Sequence, residues 1–216
     1  MGDIVHLPEG EVTLEVEVAA VAPIERVDIF CGKELAHSIT PYGATELGSR
    51  IRVIWEGAQY RGRARQVVWD GDARLVDNQI TAARPINFFN RDKTLDRDGE
   101  SGLRWRHLTT GNFGGFEAML ADARAGRLEI STPVIRAEID IGDIGLDERV
   151  WAADAQLPRR LRVYRLPDAN PATSMTVTRR LTLREVGDTA IWVRVTTEDG
   201  HRAWSSPIYL FREAPR

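Results

Sequence analysis

The chain has 216 residues, enough to bury a core and to form one large or two small domains. Its hydrophobic content of 43% is that of an ordinary globular protein, and its net charge of −3 gives no basic face for nucleic acid. No stretch approaches the roughly 20 apolar residues that cross a membrane, and the residues after Met1 lack the basic start and apolar run of a secretory signal. This pattern is compatible with a soluble, cytoplasmic protein, although the compartment stays open, because an upstream signal could be missing. Only Lys33 and Lys93 are lysines among 29 basic residues. The planar fork of arginine suits carboxylates, so many of the arginines are expected in surface ion pairs. The single cysteine, Cys31, excludes an intrachain disulfide, and its alternation with Val27 and Ile29 points to a buried, inert thiol.

Period-two alternation dominates the chain. Val12, Leu14, Val16 and Val18 alternate with Thr13, Glu15 and Glu17, as in a strand with one wet face. After a break at Ala22-Pro23, Val27, Ile29 and Cys31 repeat the pattern against Arg26, Asp28 and Phe30. Ile51, Val53 and Trp55 alternate with Arg50 and Arg52. Two strands, Gln66 to Trp69 and Ala73 to Ile80, flank Asp70-Gly71-Asp72, which reads as a hairpin turn. The stretch from residue 85 to 102 is rich in Asn, Asp, Arg and Gly and reads as a long surface loop anchored by Phe88 and Phe89.

Leu103 to Thr109 reads as a strand, followed by a Gly-rich connection from Gly111 to Gly115. Residues 116–125 carry good helix formers, with Gly126 placed as a C-cap. Phe116, Ala118 and Leu120 also alternate, and the strand-like neighbours favour a strand with a turn at Arg124 to Arg127. Further strands follow at Ile135 to Ile141, at Leu161 and Val163, across Met175 to Leu183, at Ile191 to Val195, and at Ile208 with Leu210. Many short strands with Gly- and Pro-rich turns predict an all-β chain built as a β-sandwich.

Candidate sites are sparse. His6, His37, His107 and His201 lack zinc-ligand spacing. Asp92, Asp96, Asp98 and Glu100 form an acidic cluster, but the EF-hand pattern fails at its first and twelfth positions, Thr94 and Trp105. Gly111-Asn112-Phe113-Gly114-Gly115 lacks the Gly-Lys-Ser/Thr of a phosphate loop. Ser205 and Ser206 precede Pro207 in a continuing strand, which is not a nucleophile elbow. No catalytic, metal or cofactor-binding residue is therefore assigned, and no cofactor is expected. Trp55, Trp69, Trp105, Trp151, Trp192 and Trp204 are many for an all-β chain. Trp192 is out of phase with Ile191 and Val193, and Trp204 lies beside the last turn. Trp192, Trp204, Arg194 and His201 thus form the candidate ligand surface, for a glycan or a protein, against the alternative that the aromatics are core.

The terminal pair of strands Thr189 to Leu210, with Ala22 to Phe30, Arg61 to Ala64 and Val68 to Gly71, and Leu103 to Trp105 and Thr109 to Asn112, forms an ordered set of segments. Together they resemble the C-terminal β-rich region of bacterial metal-dependent hydrolase-like proteins of the polymerase-and-histidinol-phosphatase (PHP) type. The resemblance implies an immunoglobulin-like β-sandwich, residues 1–47 plus 168–216, with a second β-sandwich or jelly-roll-like unit, residues 48–167, inserted in it. A single continuous sandwich with long excursions is the alternative. It also implies a catalytic hydrolase domain as the partner, in cis if the chain is a fragment. The His-x-His pair that opens such a domain's metal site has no matching position here. The expected function is non-catalytic: stabilising that domain or shaping access to it. A stand-alone carbohydrate- or protein-binding module is the other reading.

Overall fold

The computed structural model describes residues 2–7, 10–153, 157–185 and 187–212, and its architecture is all-β. In chain order the strands are β1 (Ile4–Leu7), β2 (Glu11–Ala19), β3 (Ile24–Cys31), β4 (Glu34–Ile39), β5 (Arg50–Glu56), β6 (Val67–Val68) and β7 (Gly71–Val76). There follow β8 (Ile80–Ile86), β9 (Thr94–Asp98), β10 (Gly102–Arg106), β11 (Leu108–Thr109), β12 (Phe113–Leu120), β13 (Arg127–Ser131) and β14 (Arg136–Asp140). The last are β15 (Arg149–Ala153), β16 (Arg159–Leu166), β17 (Ser174–Thr182), β18 (Asp188–Thr197), β19 (Arg202–Trp204) and β20 (Ile208–Arg212). The strands fall into two compact units, residues 1–42 with 170–216, and residues 43–169.

The discontinuous unit has two layers. The larger sheet runs β1-β20-β18-β3-β4, with β19 paired to β18; the smaller is the pair β17-β2. Ile24, Val27, Ile29, Val177, Leu181, Ile191, Val193 and Leu210 form the core between them. Alternation explains the inner face, because Val27 and Ile29 pair with Val195 and Val193. The outer face of β3 is not wet as its alternation predicts: Asp28 and Phe30 are buried too. Cys31, expected to be buried, is only half-buried at the strand end.

The continuous unit packs two five-stranded sheets, β14-β13-β7-β10-β9 and β15-β16-β5-β12-β8, around one core, with the short pair β11-β6 beside them. Trp55, Trp69 and Trp105 are fully buried in it, with Phe116 against the first and third. These three tryptophans are core, so they offer no ligand face.

Three expectations fail in this unit. First, Asp70-Gly71-Asp72 is not a hairpin turn: β6 pairs with β11, whereas β7 pairs with β10 and β13. Gly71 serves close approach instead, since a Cβ there would lie 2.3 Å from the Ser131 carbonyl oxygen. Second, Ala73 to Ile80 is broken at Asp77, which takes φ 58° and sends the chain into the other sheet. Third, the expected loop over 85–102 contains β9, joined to β10 through Gly99 at φ 73°; Asp98-Gly99 is the hairpin signal within it. The arginines divide: Arg104, Arg127 and Arg160 stand in exposed pairs as expected, whereas Arg50, Arg52, Arg162 and Arg165 are buried. Residues 116–120 are strand, as alternation favours, and the bend after Leu120 ends at Gly126 with φ 83°.

Candidate functional site

Cross-strand partners share a sheet face, so the register fixes what the larger sheet of the discontinuous unit presents outward. One row runs Trp204, Arg194, Asp28, Ser38 across β19, β18, β3 and β4. The next runs Trp192, Phe30, Leu35, and a third runs Ala190, Tyr209, Ile4 across β18, β20 and β1. The expected residues Trp192, Trp204 and Arg194 therefore share one face. His201 does not join the rows; it lies in the turn before β19, with its side chain 71% exposed and Nδ1 3.2 Å from Asp199.

The rows are rigid at their centre. Trp192 stacks on Phe30 with ring centroids 3.9 Å apart and planes 3° from parallel, and its indole N–H donates to the Gly32 carbonyl at 2.8 Å. The Arg194 guanidinium lies 5.0 Å over the Phe30 ring. It donates to Asp28 Oδ2 from Nε and Nη2 at 3.0 and 2.8 Å. The Ser38 hydroxyl donates to the other Asp28 oxygen at 2.7 Å. Asp28 thus holds Arg194 in one orientation, and the aromatic stack fixes the plane beneath it.

Apolar surface remains exposed at the rim: Ile4 is 62%, Trp204 59%, Leu35 53% and Tyr209 38% accessible. His6 and Phe211 stack beyond the third row at 5.3 Å. Phe30 and Asp28 were legible only as residues out of phase with Val27 and Ile29. Nothing in the sequence tells that β3 lies beside β18, so their meeting with Arg194 and Trp192 was not. Ser205, next to Trp204, is structural: its Oγ accepts from the Val193 N–H at 3.0 Å and its own N–H donates to the Val193 carbonyl.

Other chemistry-bearing groups are engaged in holding the continuous unit together. Glu117 Oε2 accepts from Arg84, Glu117 Oε1 accepts from Arg52, and Arg50 Nη1 lies 3.6 Å away. Burial alone would raise its pKa, but the Arg52 and Arg84 guanidinium groups outweigh burial and hold the carboxyl below its usual range. His107 Nδ1 accepts the Trp55 indole N–H at 3.0 Å, and burial with the Lys93 charge lowers its pKa to about 4. Asp98 is paired with Arg104, and Glu100 accepts from Gln79. Among the described residues, the acidic cluster at 92–100 does not converge, and no group of three or more His, Cys, Asp and Glu side chains is placed to hold a metal ion. In the Gly-rich connection, Gly114 makes room for the His107 ring, whose Cε1 would be 2.3 Å from a Cβ. Burial raises the Cys31 thiol pKa, against the activation a nucleophile needs.

Comparison of the chain with protein-family models, with curated proteins and with solved structures gives no match.

Proposed function

We propose that this chain is a non-catalytic accessory β region of a PHP-type metal-dependent hydrolase-like protein, and that it stabilises or shapes access to the catalytic domain. The observation that carries this reading is the outer face of the larger sheet. Ile4, Leu35, Trp204 and Tyr209 keep large apolar side chains in water around a rigid Trp192–Phe30 plane. A sheet face of that composition is a surface for another domain to cover. The order β1-β20-β18-β3-β4 over β17-β2 accords with an immunoglobulin-like unit carrying an insertion, as the resemblance implies. The purified chain, supplied with Mn2+ or Zn2+, is expected to leave p-nitrophenyl phosphate unhydrolysed; turnover abolished by a chelator would overturn the reading.

The second reading, a carbohydrate-binding module, draws on Trp204 beside Arg194, an exposed ring next to a hydrogen-bonding guanidinium. A glycan array is expected to give no signal under the first reading. A signal removed by Trp204→Ala would favour the second.

A further inference from the structure

A different surface of the same unit is unfinished. Its smaller layer is only the pair β17-β2, and among the described residues no strand lies on the other side of β2. The register pairs Glu11 with Thr182 and Ala19 with Ser174. Just past the two ends, Leu183 N–H donates to the Gly10 carbonyl and Ala20 N–H donates to that of Thr173. Ladder bonds alternate in an antiparallel pair, so the even-numbered residues of β2 bond to β17. The backbone N–H and C=O groups of Thr13, Glu15 and Glu17 point away from it, along the free edge.

The side chains along that edge are equally specific. Val12, Leu14, Val16 and Val18 face the core cluster yet are only half-buried, whereas Val177 and Leu181 across the pair are buried. A row of branched residues is thus left partly open beside unpaired backbone. On the outward side stand Glu11, Glu15 and Glu17, all exposed. Glu11 is 3.5 Å from Arg180, while Glu15 and Glu17 face Thr178 and Thr176.

We infer that the free edge of β2 is a docking site for one extended strand of a partner protein. That strand alternates branched apolar residues with lysine or arginine. The backbone edge supplies ladder hydrogen bonds, the half-open valine row takes the apolar side chains, and Glu15 with Glu17 selects basic residues on the wet side. Charge argues against a second copy pairing β2 to β2, because the glutamates would then oppose one another. With no proline or bulge on this edge, its glutamates guard it against a second copy while leaving it open to a basic strand. This inference does not rest on the hydrolase reading.

The probe is an acetylated, amidated nonapeptide, Thr-Val-Lys-Val-Lys-Val-Lys-Val-Thr, titrated into the full chain. Binding is followed by isothermal titration and by hydrogen exchange at single-residue resolution. Saturable binding is expected, with slowed exchange at Thr13, Glu15 and Glu17 and weakening by salt. Glu15→Lys with Glu17→Lys should weaken it about tenfold or more. Glu15→Pro should abolish it while circular dichroism stays unchanged, because the lost N–H points at the free edge and not at β17. If Glu15→Pro unfolds the unit, an N-methylated backbone in the peptide tests the same bonds on an intact protein. The inference is overturned if the peptide does not bind, if protection falls elsewhere, or if binding ignores the charge reversal. It is also overturned if the chain alone dimerises with those same amides protected.

Discussion

The indole N–H of Trp55 donates to Nδ1 of His107 at 3.0 Å, inside the core of the continuous unit. An imidazole that accepts at Nδ1 carries its proton on Nε2, which lies 3.4 Å from the Asn87 carbonyl oxygen. A second proton would turn Nδ1 into a donor facing a donor. This agrees with a pKa lowered from 6.5 to about 4 by burial and by the Lys93 charge, partly offset by the bond to Asn87. The unfolded chain then binds a proton near pH 6.5 that the folded chain refuses. The stabilisation is complete above that pH and is lost as pH falls towards 4, by about 3 kcal/mol in total. Urea unfolding at pH 7.5 and 4.5 measures it. In His107→Gln, which keeps an acceptor but does not titrate, the loss over this window should shrink; an unchanged loss would refute the assignment.

Glu117 supplies the second test. Its side chain is 4% exposed and accepts from Arg52, itself 2% exposed. Glu117→Ala leaves buried guanidinium charge without its carboxylate and should cost about 3–5 kcal/mol in urea unfolding. A cost under about 1 kcal/mol, the range of exposed pairs, would mean that the cluster is hydrated.

Gly115 is required by close approach. A Cβ there would sit 2.1 Å from the Val53 carbonyl oxygen on the neighbouring strand, where backbone cannot yield cheaply. Gly115→Ala should destabilise the unit by about 3 kcal/mol, read from the thermal or urea midpoint. An unchanged midpoint would place β12 differently against β5.

The two candidate tryptophans should separate. Trp204→Ala should change stability by no more than about 0.5 kcal/mol, because the ring is 59% exposed. Trp192→Ala removes the Phe30 stack and the bond to Gly32 and should cost about 3 kcal/mol. Equal costs would mean that Trp204 is also structural.

Much of the strand content was legible because Val, Ile and Leu alternate cleanly in β2, β14 and β18, and period two has one physical cause. The partners were not legible. Asp70-Gly71 and Asp98-Gly99 are the same local signal, yet only the second joins paired strands, because sheet assignment is decided by the core and not by the turn. The buried arginines were not legible for a related reason: Arg52 alternates with Val53 as a surface residue would, and its pairing with the strand neighbour Glu117 depends on register. For the candidate surface, phase marked Trp192, but the plane beneath it comes from Phe30, which is 162 positions away in the chain and joined only by register. The free edge of β2 was invisible for the same reason, since its alternation is that of any half-buried strand.

The most direct test of the proposed accessory role is to search the genome beside this chain for a PHP-type hydrolase domain and, where one is encoded, to titrate the chain with it. Hydrogen exchange is followed over Arg202–Tyr209 and β4. The account predicts saturable binding with protection on that face, weakened by Trp204→Ala and by Leu35→Glu. A genome with no such domain, or binding that leaves the aromatic face unprotected and ignores both substitutions, would contradict it.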